Sequence, residues 1–144
     1  MTAQRGLASG RLSRFGCHGQ EALLLSADGG LLVRLDLGLA DGFRLRLLGL
    51  MGQPALTLGL QPQALLLRHC RSVHTCFMRA PIDIAFLDAN GWVVQTHDNV
   101  GAWRVRNGRR PARDTLELPA GAVKLWQLGL GARLVGRGGR PVVA

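Results

Sequence analysis

The chain of 144 residues is 47% hydrophobic and 19% charged, and it carries a formal charge of +9. This composition argues against wholesale disorder, and the length suffices for one core but not for two comfortable domains. The charge alone does not define a nucleic-acid-binding protein. Residues 1–20 and 133–144 supply +6 of it, whereas residues 21–132 hold twelve cations against nine acids.

The two ends of the chain differ in composition from its centre. Residues 1–20 are polar and rich in Arg and Gly, and they lack the apolar core of a signal peptide. We predict a flexible basic extension over 1–20, one β-rich domain over 21–135 and a flexible Gly/Arg tail over 136–144. We also predict a cytoplasmic protein, exported only if the true start lies upstream. The odd count of three cysteines favours free thiols.

One uncharged run, from Leu47 to Leu67, is long enough to span a bilayer. Pro54, Pro62 and several glutamines within it are poorly suited to a membrane helix. We therefore predict no membrane span.

Strands dominate the first half of the chain. Ala22–Ser26 and Leu31–Leu37 are apolar runs separated by a turn-forming cluster, which predicts a hairpin. Asp41 is placed to cap a short helix that extends to Leu48. After a loop rich in Gly, Pro and Gln, the patterns of Ala64–Leu67 and Ser72–Met78 again indicate strands.

The clearest element of the second half is a hairpin of Ile82–Leu87 and Trp92–Thr96 around a turn that contains Gly91. Thr115–Leu118 is a further predicted strand. Pro119 is expected to open a helix to about Leu128, because proline is tolerated in a first turn. Arg133–Val135 is the last predicted strand.

Three segments in order carry a family resemblance: RLLGLMG from Arg46, HTCFMRAPIDIAFLD from His74 and LELPAG from Leu116. Together they resemble the family catalogued as domain of unknown function 192, over roughly Leu31 to Leu134. The resemblance implies a mainly β (α+β) protein: a small barrel-like antiparallel or mixed sheet with two short helices. It implies no established activity.

The leading candidate site centres on Asp83, an ionisable residue within an apolar strand pattern just after Pro81. A buried carboxylate needs a cation or backbone donors, and either His74 or Arg79 could supply the cation. With Met78, these residues would form a polar pocket for a small polar or anionic ligand. The alternative is that Asp83 only caps nearby backbone N–H groups and holds the turn at Pro81.

A soft-metal site is a further alternative. On a strand from Ser72 to Met78, alternation would place Ser72, His74, Cys76 and Met78 on one face, and Cys70 could extend the set. The fourth ligand of a structural zinc site is missing, so we predict no metal. We predict no cofactor either.

Two other functions remain open. His74 and Asp83 could act as acid and base in a hydrolase or lyase, which predicts a concave site where both side chains converge within hydrogen-bond reach. Trp103, Arg104 and Arg106, together with the basic termini, could bind a polyanion weakly. We rank nucleic acid low and favour a non-catalytic binding or accessory protein whose partner is a small ligand or another protein.

Overall fold

The computed structural model describes residues 19–40 and 55–142. A seven-stranded sheet has the order β6-β5-β8-β3-β2-β1-β9, and β4 pairs with β7 in a separate two-stranded sheet. The strands are β1 (Gly19–Leu25), β2 (Leu31–Ala40), β3 (Gln63–Leu67), β4 (Ser72–His74), β5 (Ile82–Leu87), β6 (Val93–Val100), β7 (Val105–Asn107), β8 (Asp114–Pro119) and β9 (Arg133–Gly136).

Both predicted hairpins are confirmed. The β1–β2 turn contains Gly29 at φ 89°, and the β5–β6 turn contains Gly91 at φ 84°. Gly91 is also required for space, because a Cβ there would lie 2.6 Å from the carbonyl oxygen of Leu134. The turn is held by Asp88, whose Oδ1 accepts the backbone N–H groups of Asn90 and Trp92 at 2.8 and 3.0 Å.

The large sheet is mixed because β2 and β3 run parallel while the other pairs are antiparallel. Its edges touch at one end, where Trp92 forms a bridge with Arg133 and the N–H of Val93 donates to the carbonyl of Ala132 at 2.8 Å. This contact does not close the described residues into a barrel. The mainly β class is therefore confirmed, but the predicted barrel is not.

The part of the chain that the structure describes contains one α-helix, α1, from Ala122 to Leu125. A helix is present within the predicted range of Pro119 to Leu128, but it is shorter and Pro119 does not open it, and the two predicted helices are not both confirmed. Pro119 ends β8 opposite Ile82, where the missing N–H is tolerated, and Gly121 at φ 89° then separates strand from helix. The predicted helix from Asp41 to Leu48 lies outside the described residues.

The predicted strand from Ser72 to Met78 is wrong in its second half. β4 ends at His74, and the chain then turns, with the N–H of Met78 donating to the carbonyl of Thr75 at 3.2 Å. Phe77 has a φ of 59° within this turn. The alternation that would align Cys76 and Met78 with His74 therefore fails, and with it the basis of the soft-metal set. Among the described residues no three His, Cys, Asp or Glu side chains cluster as metal ligands.

The core lies on both faces of the large sheet. Ala85 and Leu87 of β5 belong to one apolar cluster, whereas Ile84 and Phe86 belong to the other. All six residues of β5 and all six of β8 are buried. The polar side chains on these two strands therefore have no access to bulk water and must find partners within the protein or stay neutral.

No helix in the described ranges is long and apolar enough to cross a bilayer. The end of the run from Leu47 to Leu67 forms the buried strand β3. Farther along, the segment predicted as a tail leaves β9 through a 3-10 turn at Arg137–Gly139, and Val142 packs against the first core cluster.

Candidate functional site

Asp83 is the second residue of β5 and is completely buried. Its Oδ1 accepts the backbone N–H of Asn99 at 2.7 Å, and its Oδ2 accepts the backbone N–H of Val123 at 2.8 Å. These bonds correspond to the capping alternative, although the groups capped lie 16 and 40 residues away in sequence rather than at Pro81.

Each of the two amides has a physical reason to need an acceptor. Between the pairs Ile82–Val100 and Ile84–His97, two residues of β6 oppose one of β5, which is a β-bulge with Asn99 at φ 50°. Val123 is in the first turn of α1, whose N-cap Gly121 offers no side-chain acceptor. Asp83 thus caps a helix from a neighbouring strand and fixes a bulge with the same carboxylate.

The other residues of the predicted pocket lie elsewhere. His74 is half-buried at the end of β4, and its Nδ1 accepts the N–H of Cys76 at 3.3 Å. Met78 is half-buried and Arg79 is exposed in the following loop. In the described structure neither His74 nor Arg79 is hydrogen-bonded to Asp83, so the proposed acid–base pair is not formed.

The two-stranded sheet brings together the two sets of candidate residues that the sequence keeps apart. In its register Ser72 pairs with Asn107, Val73 with Arg106 and His74 with Val105. The loop after β4 carries Met78 and Arg79, and the loop before β7 carries Trp103 and Arg104. The predicted small-ligand residues other than Asp83 and the predicted polyanion residues therefore share one small sheet and its loops.

Thr75 joins these two loops. It is 1% exposed, its N–H donates to the carbonyl of Arg104 at 2.9 Å, and its carbonyl accepts the N–H of Trp103 at 3.1 Å. Its hydroxyl donates to the carbonyl of Gly101 at 2.6 Å and accepts the N–H of Arg104 at 2.8 Å. The backbone and side chain of one residue therefore fix the position of Trp103 relative to β4.

Two aromatic rings stand on the joined loops. Phe77 and Trp103 pack edge to face, with ring centroids 4.6 Å apart, yet they are 60% and 62% exposed. Both have positive φ, 59° and 62°, a conformation that costs a bulky residue about 1–3 kcal/mol. The protein thus holds two large apolar rings in solvent on strained backbone, an arrangement typical of binding surfaces rather than of packing.

Residues 68–81 and 101–113, which we call the arginine surface, contain eight arginines and no acid. They are Arg68, Arg71, Arg79, Arg104, Arg106, Arg109, Arg110 and Arg113. Within the described ranges the seven from Arg71 onward form no ion pair with a carboxylate, whereas Arg34 pairs with Glu21 and Lys124 pairs with Asp98. The rest of residues 21–132 holds four cations against nine acids, a balance of −5.

The pKa of His97 is affected by the positive charge of this surface. Partial burial, together with the guanidinium groups of Arg106 and Arg109, lowers its pKa. Gln95 accepts the N–H of Arg109 at 2.9 Å, and its amide nitrogen then faces Nε2 of His97 at 2.8 Å. Nε2 must accept this bond, so His97 is neutral in this arrangement.

Glu117 is a residue whose importance the sequence did not reveal. It is 3% exposed on β8, opposite Leu65 and Ile84, and its Oε2 has no hydrogen-bond partner among the described residues. Burial raises the pKa of Glu117 to about 8. The available signal was the position of Glu117 within an apolar strand pattern. A strand that is covered on both faces buries every side chain, including a carboxyl group.

A small cavity lies away from all of these residues. It has an accessible volume of about 10 Å³, room for about one water molecule, and is lined in part by Asn90, Asp114 and Leu134. None of the predicted ligand-binding residues lines it.

The fold and surface define a class: a small protein built on one mixed sheet, with an exposed aromatic and arginine surface on an attached two-stranded sheet. Residues 24–136 match the model of the DUF192 family, described as "Uncharacterized ACR", and the chain belongs to this family. The family expected from the sequence is thereby confirmed.

Individual relatives agree with this assignment. A UPF0127 protein of Pyrococcus furiosus is 33% identical over 111 residues, which is 77% of this chain and 95% of that protein. A crystal structure of a "putative transcription regulator" from Sinorhizobium meliloti has a TM-score of 0.75 and 26% identity, covering 85% of this chain and 96% of that one. A protein of unknown function from Novosphingobium aromaticivorans shares the fold with a TM-score of 0.75 and 17% identity, over 94% and 97% of the two chains.

Replacement of Asp83 by Ala should destabilise the protein by about 3 kcal/mol or more, because two buried N–H groups lose a charged acceptor. Asp83→Asn keeps one acceptor oxygen and should have a smaller effect. Urea unfolding measures both. The matched control is Glu21→Ala, an exposed acid 3.9 Å from Arg34, which should change stability by less than about 1 kcal/mol. Equal stability of Asp83→Ala and the wild type would contradict this role.

Glu117 should make stability fall as pH rises. Below pH 4.5 the carboxyl is protonated in both states; between 4.5 and about 8 the unfolded chain ionises while the folded protein does not. The free energy of unfolding then falls by up to about 1.4 kcal/mol per pH unit. Glu117→Gln should remove this slope, so the difference in urea midpoint between Glu117→Gln and the wild type should grow from pH 5 to pH 8.

Comparing Glu117→Gln with the wild type at each pH removes the contribution of His97 and of every other titratable group that both proteins contain. Glu21→Gln serves as the control for loss of an exposed carboxylate, and its curve should stay parallel to that of the wild type. Parallel curves for Glu117→Gln would instead show that Glu117 is already ionised in the folded protein.

Proposed function

We propose that the protein is a polyanion-binding module and that the arginine surface is its binding site. The observation that carries this proposal is the concentration of eight arginines without an acid on residues 68–81 and 101–113, while the remainder of 21–132 is acidic. Binding of polyanions to such a surface releases their counterions, which supplies affinity without a deep pocket.

The sequence ranks this function below a small-ligand pocket, and the geometry supports the opposite order. The pocket required Asp83 next to His74 and Arg79, but both oxygens of Asp83 accept backbone N–H groups in the core. By contrast, Trp103 and Arg104 are exposed and their loop is held by Thr75. His74, Met78 and Arg79 lie beside this loop, so an anionic small ligand would meet the same surface.

The Sinorhizobium meliloti neighbour gives weaker support in the same direction. That protein of the same fold is described as a "putative transcription regulator", and regulators of transcription commonly act at nucleic acids. Nucleic acids are one class of polyanion.

The double variant Arg104→Gln/Arg106→Gln should elute from heparin at lower salt than the wild type, because two cations are removed from the binding surface. The matched control, Arg34→Gln/Lys124→Gln, removes the same charge from two exposed side chains that pair with Glu21 and Asp98. It should elute close to the wild type. Equal shifts for both variants would show that only net charge matters and would overturn the proposed site.

A further inference from the structure

The aromatic pair of Phe77 and Trp103 has no role in a purely ionic surface. Heparin and polyphosphate have no flat rings to stack, and exposed aromatic rings add nothing to counterion release. Each ring nevertheless has an arginine close to it in sequence: Arg79 follows Phe77 by two residues, and Arg104 follows Trp103 directly.

The rings are held in place rather than left loose in solvent. Four hydrogen bonds of Thr75 fix the Trp103 loop, and the ring of Trp103 in turn packs against Phe77 with centroids 4.6 Å apart. The loop backbone and the ring contact thus arrange the pair before a ligand arrives, which reduces the entropic cost of stacking on it.

Exposed aromatic rings interleaved with arginines are the arrangement that holds single strands, because every base has a face that can stack and every phosphate needs a cation. In a duplex the bases are already stacked on one another. The positive charge and the exposed rings therefore both favour a single strand over a duplex.

We infer that the arginine surface binds single-stranded nucleic acid, with bases stacked on Phe77 and Trp103 and phosphates paired with the neighbouring arginines. This inference rests on the proposed function and names the class of polyanion. It explains why both rings remain exposed on backbone with positive φ.

The test compares two labelled oligonucleotides of equal length and equal phosphate number, an oligo(dT) and its abasic counterpart, by fluorescence anisotropy at about 50 mM salt. The wild-type protein should bind oligo(dT) at least about tenfold more tightly than the abasic strand. Phe77→Ala/Trp103→Ala should abolish this preference and still bind the abasic strand as the wild type does.

Trp92→Ala is the matched control for loss of an exposed tryptophan. Trp92 precedes β6 and Trp103 follows it, so the eight residues of that strand, about 26 Å in length, separate the two sites. The preference for oligo(dT) should persist in Trp92→Ala.

Thermal unfolding of each variant identifies any loss of binding that comes from loss of folding. Phe77→Leu/Trp103→Leu then repeats the test with side chains that retain bulk but cannot stack.

The outcomes separate this inference from the function on which it rests. Equal affinity of the wild type for both oligonucleotides, or equal affinity for a duplex, would overturn base stacking while leaving polyanion binding intact. Binding to heparin without binding to either oligonucleotide would assign the surface to another polyanion and would overturn the inference alone. Absence of binding to heparin and to both strands would overturn the two together.

Discussion

The carboxylate of Asp83 holds together three parts of the chain that the sequence separates: β5, the bulge in β6 and the first turn of α1. The bulge changes the alternation of β6, so that His97 and Val100, three residues apart, both lie on the face of Ile84 and Ile82. Val100 therefore enters the second core cluster just before the chain turns to Trp103. The position of the aromatic loop depends on this change of register.

Two carboxyl groups on adjacent strands are buried, and the cost of removing each from water is met in a different way. Asp83 has its two oxygens matched to two N–H groups, and this compensates for the loss of water. Glu117, on the other face of the sheet, lacks a partner at Oε2 among the described residues, and burial favours its neutral form. The same sheet thus stabilises one charge and suppresses another, because only the first lies where the backbone has unpaired donors.

The sequence predicts what depends on short-range patterns and misses what depends on distant contacts. The hairpins around Gly29 and Gly91 could be read from turn residues and alternation, as could the two faces of β5. The end of β4 could not, because its register with β7 and the bonds of Thr75 to the 101–104 loop decide it. The partners of Asp83 were equally hidden, since backbone amides have no residue type and leave no signature in the sequence.

The same distinction applies to charge, where the total is less informative than its distribution in the fold. Residues 68–81 and 101–113 are separated in sequence by residues 82–100, and the pairing of β4 with β7 together with the bonds of Thr75 brings them side by side. Outside them the body of the chain has a balance of −5. A polyanion is therefore attracted most strongly to the side that carries these arginines, so the fold rather than the net charge determines how it would be oriented. Such orientation is what a pair of fixed rings requires, because Phe77 and Trp103 can stack only on a ligand that arrives at their own loops.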